Sequence, residues 1–257
     1  MNSVKKSQGI RLKSANEVDI LRKAGKILSS IVLQLQSSLS SGMTTREIDL
    51  QAEELIRKNG VIAAFKGYRG FPGVACISVN EGVVHGIPGQ RVVRDGDIVS
   101  LDIGIIYEKY YSDMAVTIPV GRVPAEVARL LDVTQASLMR GIEQARVGNR
   151  LSDISYAVQS FVEMHGFSVV RDFVGHGIGR SLHEEPEIPN YGRPGQGPVL
   201  QQGMVFAIEP MVNMGTHFTK TLADGWTVVT EDGKPSAHFE HSIVITANGP
   251  EILTGSK

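Results

Sequence analysis

The chain has 257 residues, a net charge of −1, 42% hydrophobic and 21% charged residues, and one cysteine, Cys76. That balance is ordinary for a soluble globular protein and creates no strong field toward nucleic acid or a membrane surface. A lone cysteine excludes internal disulfides and suits a reducing cytoplasm. The sequence has no apolar run near the roughly 18 residues a membrane span needs, and its polar start, MNSVKKSQGIRLKSANE, lacks the apolar core of a signal peptide.

Residues 1–15 read as a basic N-terminal arm, with Lys5, Lys6, Arg11 and Lys13 in solvent. A capping box between Ser14 and Glu17 predicts a helix start, and Val18, Leu21, Leu28, Ile31, Val32 and Leu35 recur at helical spacing. Gly42 breaks the chain. Thr44 or Thr45 caps a second helix that carries Ile48, Ala52, Leu55 and Ile56 and ends at Asn59-Gly60. A loop, FKGYRGFPG, a strand, CISVN, and a turn, VVHGIPG, follow. Residues 97–120 are then two apolar-rich runs joined by a short polar turn, a predicted β-hairpin. Helices are predicted over 124–145 and 151–164, with Gly148 between them. After them come a loop, VGHGIG, a strand, GMVFAIEP, ending in Glu209, and a last strand, AHFEHSIVIT, carrying Glu240.

The hairpin carries the first chemical signal. Side chains alternate faces along a strand, so Val99, Leu101, Ile103 and Ile105 share one face, and Ser100, Asp102 and Gly104 the other. Closing the hairpin between Tyr107 and Glu108 sets Asp102 opposite Asp113. Opposed side chains lie roughly 5 Å apart. Two carboxylates ~4 Å apart repel by about 4 kcal/mol at an effective dielectric near 20. A shared proton or a divalent cation relieves that repulsion; another register would leave one Asp merely solvated.

The second half of the chain resembles the first. Gly42 and Gly60 fall on Gly148 and Gly166 at one constant offset, and GDIVSLD, ending in Asp102, falls on GMVFAIE, ending in Glu209. Each half thus delivers two carboxylates from strands: Asp102 and Asp113, then Glu209 and Glu240. A pseudo-symmetric two-fold domain with one fused sheet system follows. Four converging carboxylates cannot all stay ionised alone, and two divalent cations would balance them. With one imidazole added, the set suits Mn, Fe, Co or Zn, which as a bridged pair can generate hydroxide and polarise a carbonyl.

The segments VVHGIP, DGDIVSLDIG, YSDMAVT, GHGIGRSLHEEP, GMVFAIEPM and the Glu240 strand span nearly the whole chain after residue 15, and in them the chain resembles the type I methionine aminopeptidases, in the short bacterial form. The resemblance implies the pita-bread α/β (α+β) fold, a duplicated antiparallel sheet with helices on its outer face. It also implies one catalytic domain over 16–257, built of half-repeats at about 16–121 and 122–250. It implies two divalent metal ions (Co, Mn, Fe, Ni or Zn), with Asp102 chelating one, Asp113 and Glu240 bridging both, and His176 and Glu209 binding the other. His85 and His183 would contact substrate, Glu209 would shuttle the proton, and Phe65, Tyr68, Phe71, Cys76, Leu182 and Trp226 would line a methionine pocket. The implied activity removes the initiator methionine from nascent polypeptides when the second residue is small. The implied setting is a cytoplasmic monomer working on nascent N-termini, with the ribosome near its exit tunnel as a further partner. Three positions depart from the commonest bacterial pattern: Phe65 stands for a Cys, Phe71 for a Tyr and Leu182 for a Phe.

Two other readings stay open. X-Pro aminopeptidases and prolidases share the five ligands but carry a large extra N-terminal domain, whereas here the repeat begins by residue 16. Metal-free binding modules of the same fold typically lose ligands, and this chain keeps all five.

Overall fold

The computed structural model describes residues 9–255. The first half contains α1 (Ala15–Ser38), α2 (Thr45–Lys58), β1 (Ile62–Ala63), β2 (Ala75–Val79), β3 (Gly82–Val84), β4 (Ile98–Tyr107) and β5 (Tyr110–Pro119). The second contains α3 (Ala125–Gln144), α4 (Leu151–Met164), β6 (Ser168–Val169), β7 (Gly175–Gly177), β8 (Glu184–Ile188), β9 (Val205–Ile208) and β10 (Met211–Asn213). It continues with β11 (Thr219–Thr221), β12 (Val228–Thr230), β13 (Ser236–His238), β14 (Glu240–Thr246) and β15 (Gly249–Ile252). Among the described residues, no helix is long and apolar enough to cross a membrane.

The expected duplication is visible in the elements. α2 and α4 have 14 residues each, and both their ends, 45 and 58 against 151 and 164, differ by the same 106 positions. The short strands β1 and β6, at 62–63 and 168–169, keep that offset. α1 starts from the predicted capping box of Ser14 with Glu17; at α2 the cap is Thr44, and the structure adds a second box, Thr44 with Glu47. The main sheet runs β1-β4-β5-β14-β9-β7-β8, so the long β4–β5 hairpin of one half meets β14 and β9 of the other at a β5–β14 seam. Leu28, Ile31, Val32 and Leu35 of α1 form one core with Val99, Leu101, Ile103 and Ile105 of β4. Residues of α3 and α4 pack in the same way against Phe206, Ile208, Ile243 and Ile245. The helices therefore cover one face of the sheet, and the carboxylate-bearing face looks the other way.

The hairpin register differs from the predicted one. The turn is the two-residue pair Glu108-Lys109, with Tyr107 facing Tyr110, so Asp102 lies opposite Ala115 and Asp113 opposite Gly104. Both turn residues adopt the left-handed conformation, with φ of 47° and 67°. That is the twist a two-residue hairpin turn needs, here without the Asn-Gly that usually announces it. A slip of two positions preserves the face, so the two Asp side chains still share one surface but sit diagonally.

Three further readings are corrected. VGHGIG is not simply a loop, because Gly175–Gly177 pairs with β8 and β9. The run AHFEHSIVIT breaks at Phe239 into β13 and β14, and β15 follows it as a further strand. Lys13 is buried rather than solvated: its Nζ lies 2.6 Å from Glu184 Oε2 and donates to the Arg11 carbonyl. Arg11 pairs with Glu17, and Lys5 and Lys6 lie outside the described residues.

Gly25 shows how tightly α1 is seated. A Cβ added there would lie 2.3 Å from the Leu253 carbonyl oxygen. An interior Gly→Ala normally favours a helix by about 1 kcal/mol, but overpacking against a fixed backbone costs about 1–3 kcal/mol. Gly25→Ala should therefore lower the urea midpoint; a raised midpoint would mean that the 253 segment moves aside freely.

Candidate metal centre

Strand register places the polar residues in two rows on the inner face. Cys76, Asp102, Ala115 and Glu240 lie side by side across β2, β4, β5 and β14. Two positions along, Gly104 faces Asp113, and on the other side of the seam Ser242 and His176 both face Ala207. Ser242 Oγ accepts from the Asp113 N–H and donates to the Asp113 carbonyl, joining the halves of this row. Glu209 follows directly on β9. Between the ligand-type side chains the sequence places only Ala, Gly, Ser or Cys. No carboxylate in the rows directly faces another, and a space is left over the small residues, except at Gly104, which the Phe65 ring covers.

That space is a cavity of about 150 Å³. Asp102, Asp113, His176, Glu209 and Glu240 form its polar part, and Phe65, Phe71, Cys76, Leu182 and Trp226 its apolar part, with Tyr68, His85 and His183 between them. All thirteen residues singled out from the sequence line it, and Arg69 joins them at the rim. Asp113, His176 and Glu240 each bring one ligand atom within 4.8 Å of the others. His176 Nε2 stands 3.5 Å from Glu209 Oε1 and 4.0 Å from Asp113 Oδ2. Its Nδ1 faces the Gly177 carbonyl at 2.9 Å. A carbonyl only accepts, so Nδ1 carries the proton and the Nε2 lone pair points at the carboxylates, the arrangement a metal-binding imidazole needs.

Electrostatics show that the site fits a cation. Burial, then repulsion within the group, pushes the carboxyls of Asp102, Glu209 and Glu240 well above the usual range. Burial pushes Asp113 up to about 7. Asp102 Oδ1 and Glu240 Oε1 are buried and have no hydrogen-bond partner among the described residues. Such orphaned acceptors require an explanation. Four oxygen ligands and one imidazole fit a borderline divalent cation, and a cation would supply both the charge and the missing partners.

Around this centre, Tyr68 Oη lies 2.8 Å from His183 Nδ1, and the two rings stack at 5.5 Å. His183 and His176 are 4.3 Å apart by ring centroid. His85, held in the left-handed region at φ 58°, meets Phe173 and Trp226 edge-on. Phe71 packs edge-on to Trp226. Phe65 and Leu182 belong to one apolar cluster, and the Phe65 ring covers Gly104, where a Cβ would lie 2.6 Å from it. Sequence reasoning missed Arg69, Phe173 and the buried His238. His238 shares its strand parity with Glu240 two residues on, and that was the available signal.

A carboxylate-rich centre that fits a divalent cation, beside an apolar pocket wall, has the make-up of a metallohydrolase site. The chain belongs to metallopeptidase family M24, whose family model matches residues 19–247. It is 56% identical to the methionine aminopeptidase of Clostridium perfringens, over 95% of this chain and 98% of the relative, and 53% identical to methionine aminopeptidase 1 of Bacillus subtilis, over 94% and 98%. Among solved structures, methionine aminopeptidase from Thermotoga maritima superposes with a TM-score of 0.94 at 46% identity, covering 96% of this chain and all of that one. Prolidase from Pyrococcus furiosus superposes at 0.78 with 25% identity, and this chain spans only 66% of it. These likenesses bear out the pita-bread fold.

Metal removal has a predictable pH signature. Asp and Glu ionise near 4 when unfolded, so the folded metal-free protein binds more protons than the unfolded chain above that pH, and these groups lose stability as pH rises. The buried histidines act in the opposite sense below 6.5, since burial pushes His85 and His176 down to about 4 and His238 to about 3. About one pH unit higher the histidines are neutral in both states, so the carboxyls set the slope, joined near pH 8–9 by the Cys76 thiol, which burial pushes up and which acts in the same sense. The melting temperature of chelator-treated protein should fall from pH 6.5 to about 9, and saturating divalent cation should remove most of that fall. A flat profile without metal would contradict the burial of these carboxyls.

Proposed function

We propose that this chain is a methionyl aminopeptidase that removes the N-terminal methionine from nascent polypeptides whose second residue is small. We further infer that it holds two divalent cations and acts as a cytoplasmic monomer near the ribosome, with residues 16–257 forming one catalytic unit. The observation that carries this reading is the junction of two chemistries in one cavity, a carboxylate and imidazole centre against a wall of Phe65, Phe71, Leu182 and Trp226.

Asp102 would hold one cation, Asp113 and Glu240 would bridge both, and His176 and Glu209 would hold the other. When bound, divalent cations lower the pKa of water and polarise a carbonyl. The apolar wall takes the methionine side chain and excludes water from it. His85 stands between Trp226 and the polar centre, where it can orient the peptide beside the scissile bond. With the Tyr68 hydroxyl donating to Nδ1, His183 keeps its N–H on Nε2, free to donate to the scissile carbonyl oxygen as negative charge develops there. Such a donor is typically worth 10²–10³ in rate. Glu209 takes the proton from the attacking water and delivers it to the leaving amine.

Hydrolysis of Met-Ala-Ser against an Ala-Pro dipeptide, with metal content measured on the same sample, tests this reading. Cleavage of the tripeptide alone is expected. Preference for the dipeptide would favour the prolidase reading, and absence of both metal and cleavage would favour a binding module. Asp113→Asn or Glu240→Gln should abolish turnover, because each removes a shared carboxylate; near wild-type turnover with two metals bound would refute the bridging role.

Selectivity rests on pocket shape. Phe65 fills the space over Gly104, while Leu182, beside His183, replaces an aromatic wall. One methylene in an apolar pocket discriminates by only ~10–200-fold, so methionine over norleucine should be weakly resolved. Phe65→Cys should raise activity on bulkier first residues, and Leu182→Phe should crowd the slot. The readout is kcat/KM for Met, norleucine and Leu tripeptides; unchanged ratios in both variants would remove these positions from the pocket.

A further inference from the structure

His238 ends β13 fully buried, and neither ring nitrogen has a hydrogen-bond partner among the described residues. Leaving a buried polar group unpaired costs roughly 1–3 kcal/mol. The nearest candidate partner is Glu209, whose Oε2 lies 3.6 Å from His238 Nε2. The other oxygen of the same carboxylate, Oε1, lies 3.5 Å from His176 Nε2. One carboxylate therefore spans two imidazoles.

The backbones on both sides are clamped. Thr117 Oγ1 donates to the His238 carbonyl and accepts from the His238 N–H, both at 2.8 Å. Thr117 is itself hydrogen-bonded to Ser100 at 2.8 Å. Asn190 Nδ2 donates to the Glu209 carbonyl at 3.0 Å. Only side-chain torsion is left to close the gap between ring and carboxylate, a few tenths of an ångström beyond hydrogen-bond range. Such contacts are often long before a site is loaded and tighten afterwards.

We propose that His238 is a positioning residue for Glu209: its Nε2–H donates to Oε2 of the ionised carboxylate and so fixes which oxygen, Oε1, is presented beside His176. The ring can serve in this way because an ionised carboxylate only accepts, so the proton of a neutral imidazole resides on the nitrogen that faces it. Groups that orient metal ligands in this manner typically change metal affinity or activity by 10–100-fold when removed. The inference rests on the reading of Glu209 as a metal ligand.

The test is calorimetric titration of chelator-treated wild type, Glu209→Gln, His238→Leu, His238→Gln and His238→Asn with Mn(II), alongside kcat and KM for Met-Ala-Ser. The amide of Gln keeps a donor with the reach of Nε2, whereas Asn carries the same amide one methylene short. His238→Gln should stay within a few fold of wild type. His238→Leu and His238→Asn should both lose roughly 10–100-fold in Mn(II) affinity and lose kcat with KM little changed. The Gln and Asn pair carries the comparison if the Leu variant does not fold. Wild-type affinity and kcat in His238→Asn, or equal losses in His238→Gln and His238→Asn, would overturn the positioning role alone. Wild type that takes up no Mn(II), or Glu209→Gln that binds it as wild type does, would overturn the ligand reading beneath it.

Discussion

Everything in this molecule is arranged around the burial of four carboxylates on one face of a sheet. Like charges brought together in a protein interior repel by several kcal/mol, and the fold limits that repulsion by spacing. Ala115 stands between Asp102 and Glu240, Gly104 lies across from Asp113, and Ala207 and Ser242 separate His176 from the seam. The small residues do two jobs at once. They keep carboxylates from facing one another directly, and they leave a depression in the sheet that larger side chains would fill.

The helices answer to the same constraint. A face that carries acids cannot also be the hydrophobic core, so the opposite face, with Val99, Leu101, Ile103 and Ile105, takes the packing from α2 and from Leu28, Ile31, Val32 and Leu35 of α1. The apolar part of the cavity is built separately, from the Phe65–Phe71 segment, the 182 loop and Trp226. Lys13, just ahead of α1, ties the start of the chain to the 182 loop through Glu184, the residue after His183. Walls and floor of the cavity thus come from distant stretches of chain that share no local sequence signal.

This division explains what was legible in the sequence. Caps, helix periodicity and the duplicated spacing are local, and the Ser14–Glu17 capping box, the cap at Thr44 or Thr45 and the bounds of α2 and α4 could be read directly. The face of each acid was legible too, since alternation survives an error of two residues. Register was not, because Glu108-Lys109 lacks the residues that mark a two-residue turn. The break at Phe239 was hidden inside a continuous strand-like run, and with it the placement of His238. The burial of Lys13 depends on a partner 171 positions away, which no window of composition reveals. The likeness to a known family, rather than any spacing, supplied the pocket residues.

The upward shift of the carboxyls bears on the order in which the protein is assembled. With protons standing in for cations, the acidic face can be closed over by the rest of the chain before any metal is present, so folding need not wait for metal delivery. Loading then becomes an exchange in which protons leave as ions enter, and acidification competes directly with uptake. A centre built for metal is, on these terms, one that can be finished first and charged later.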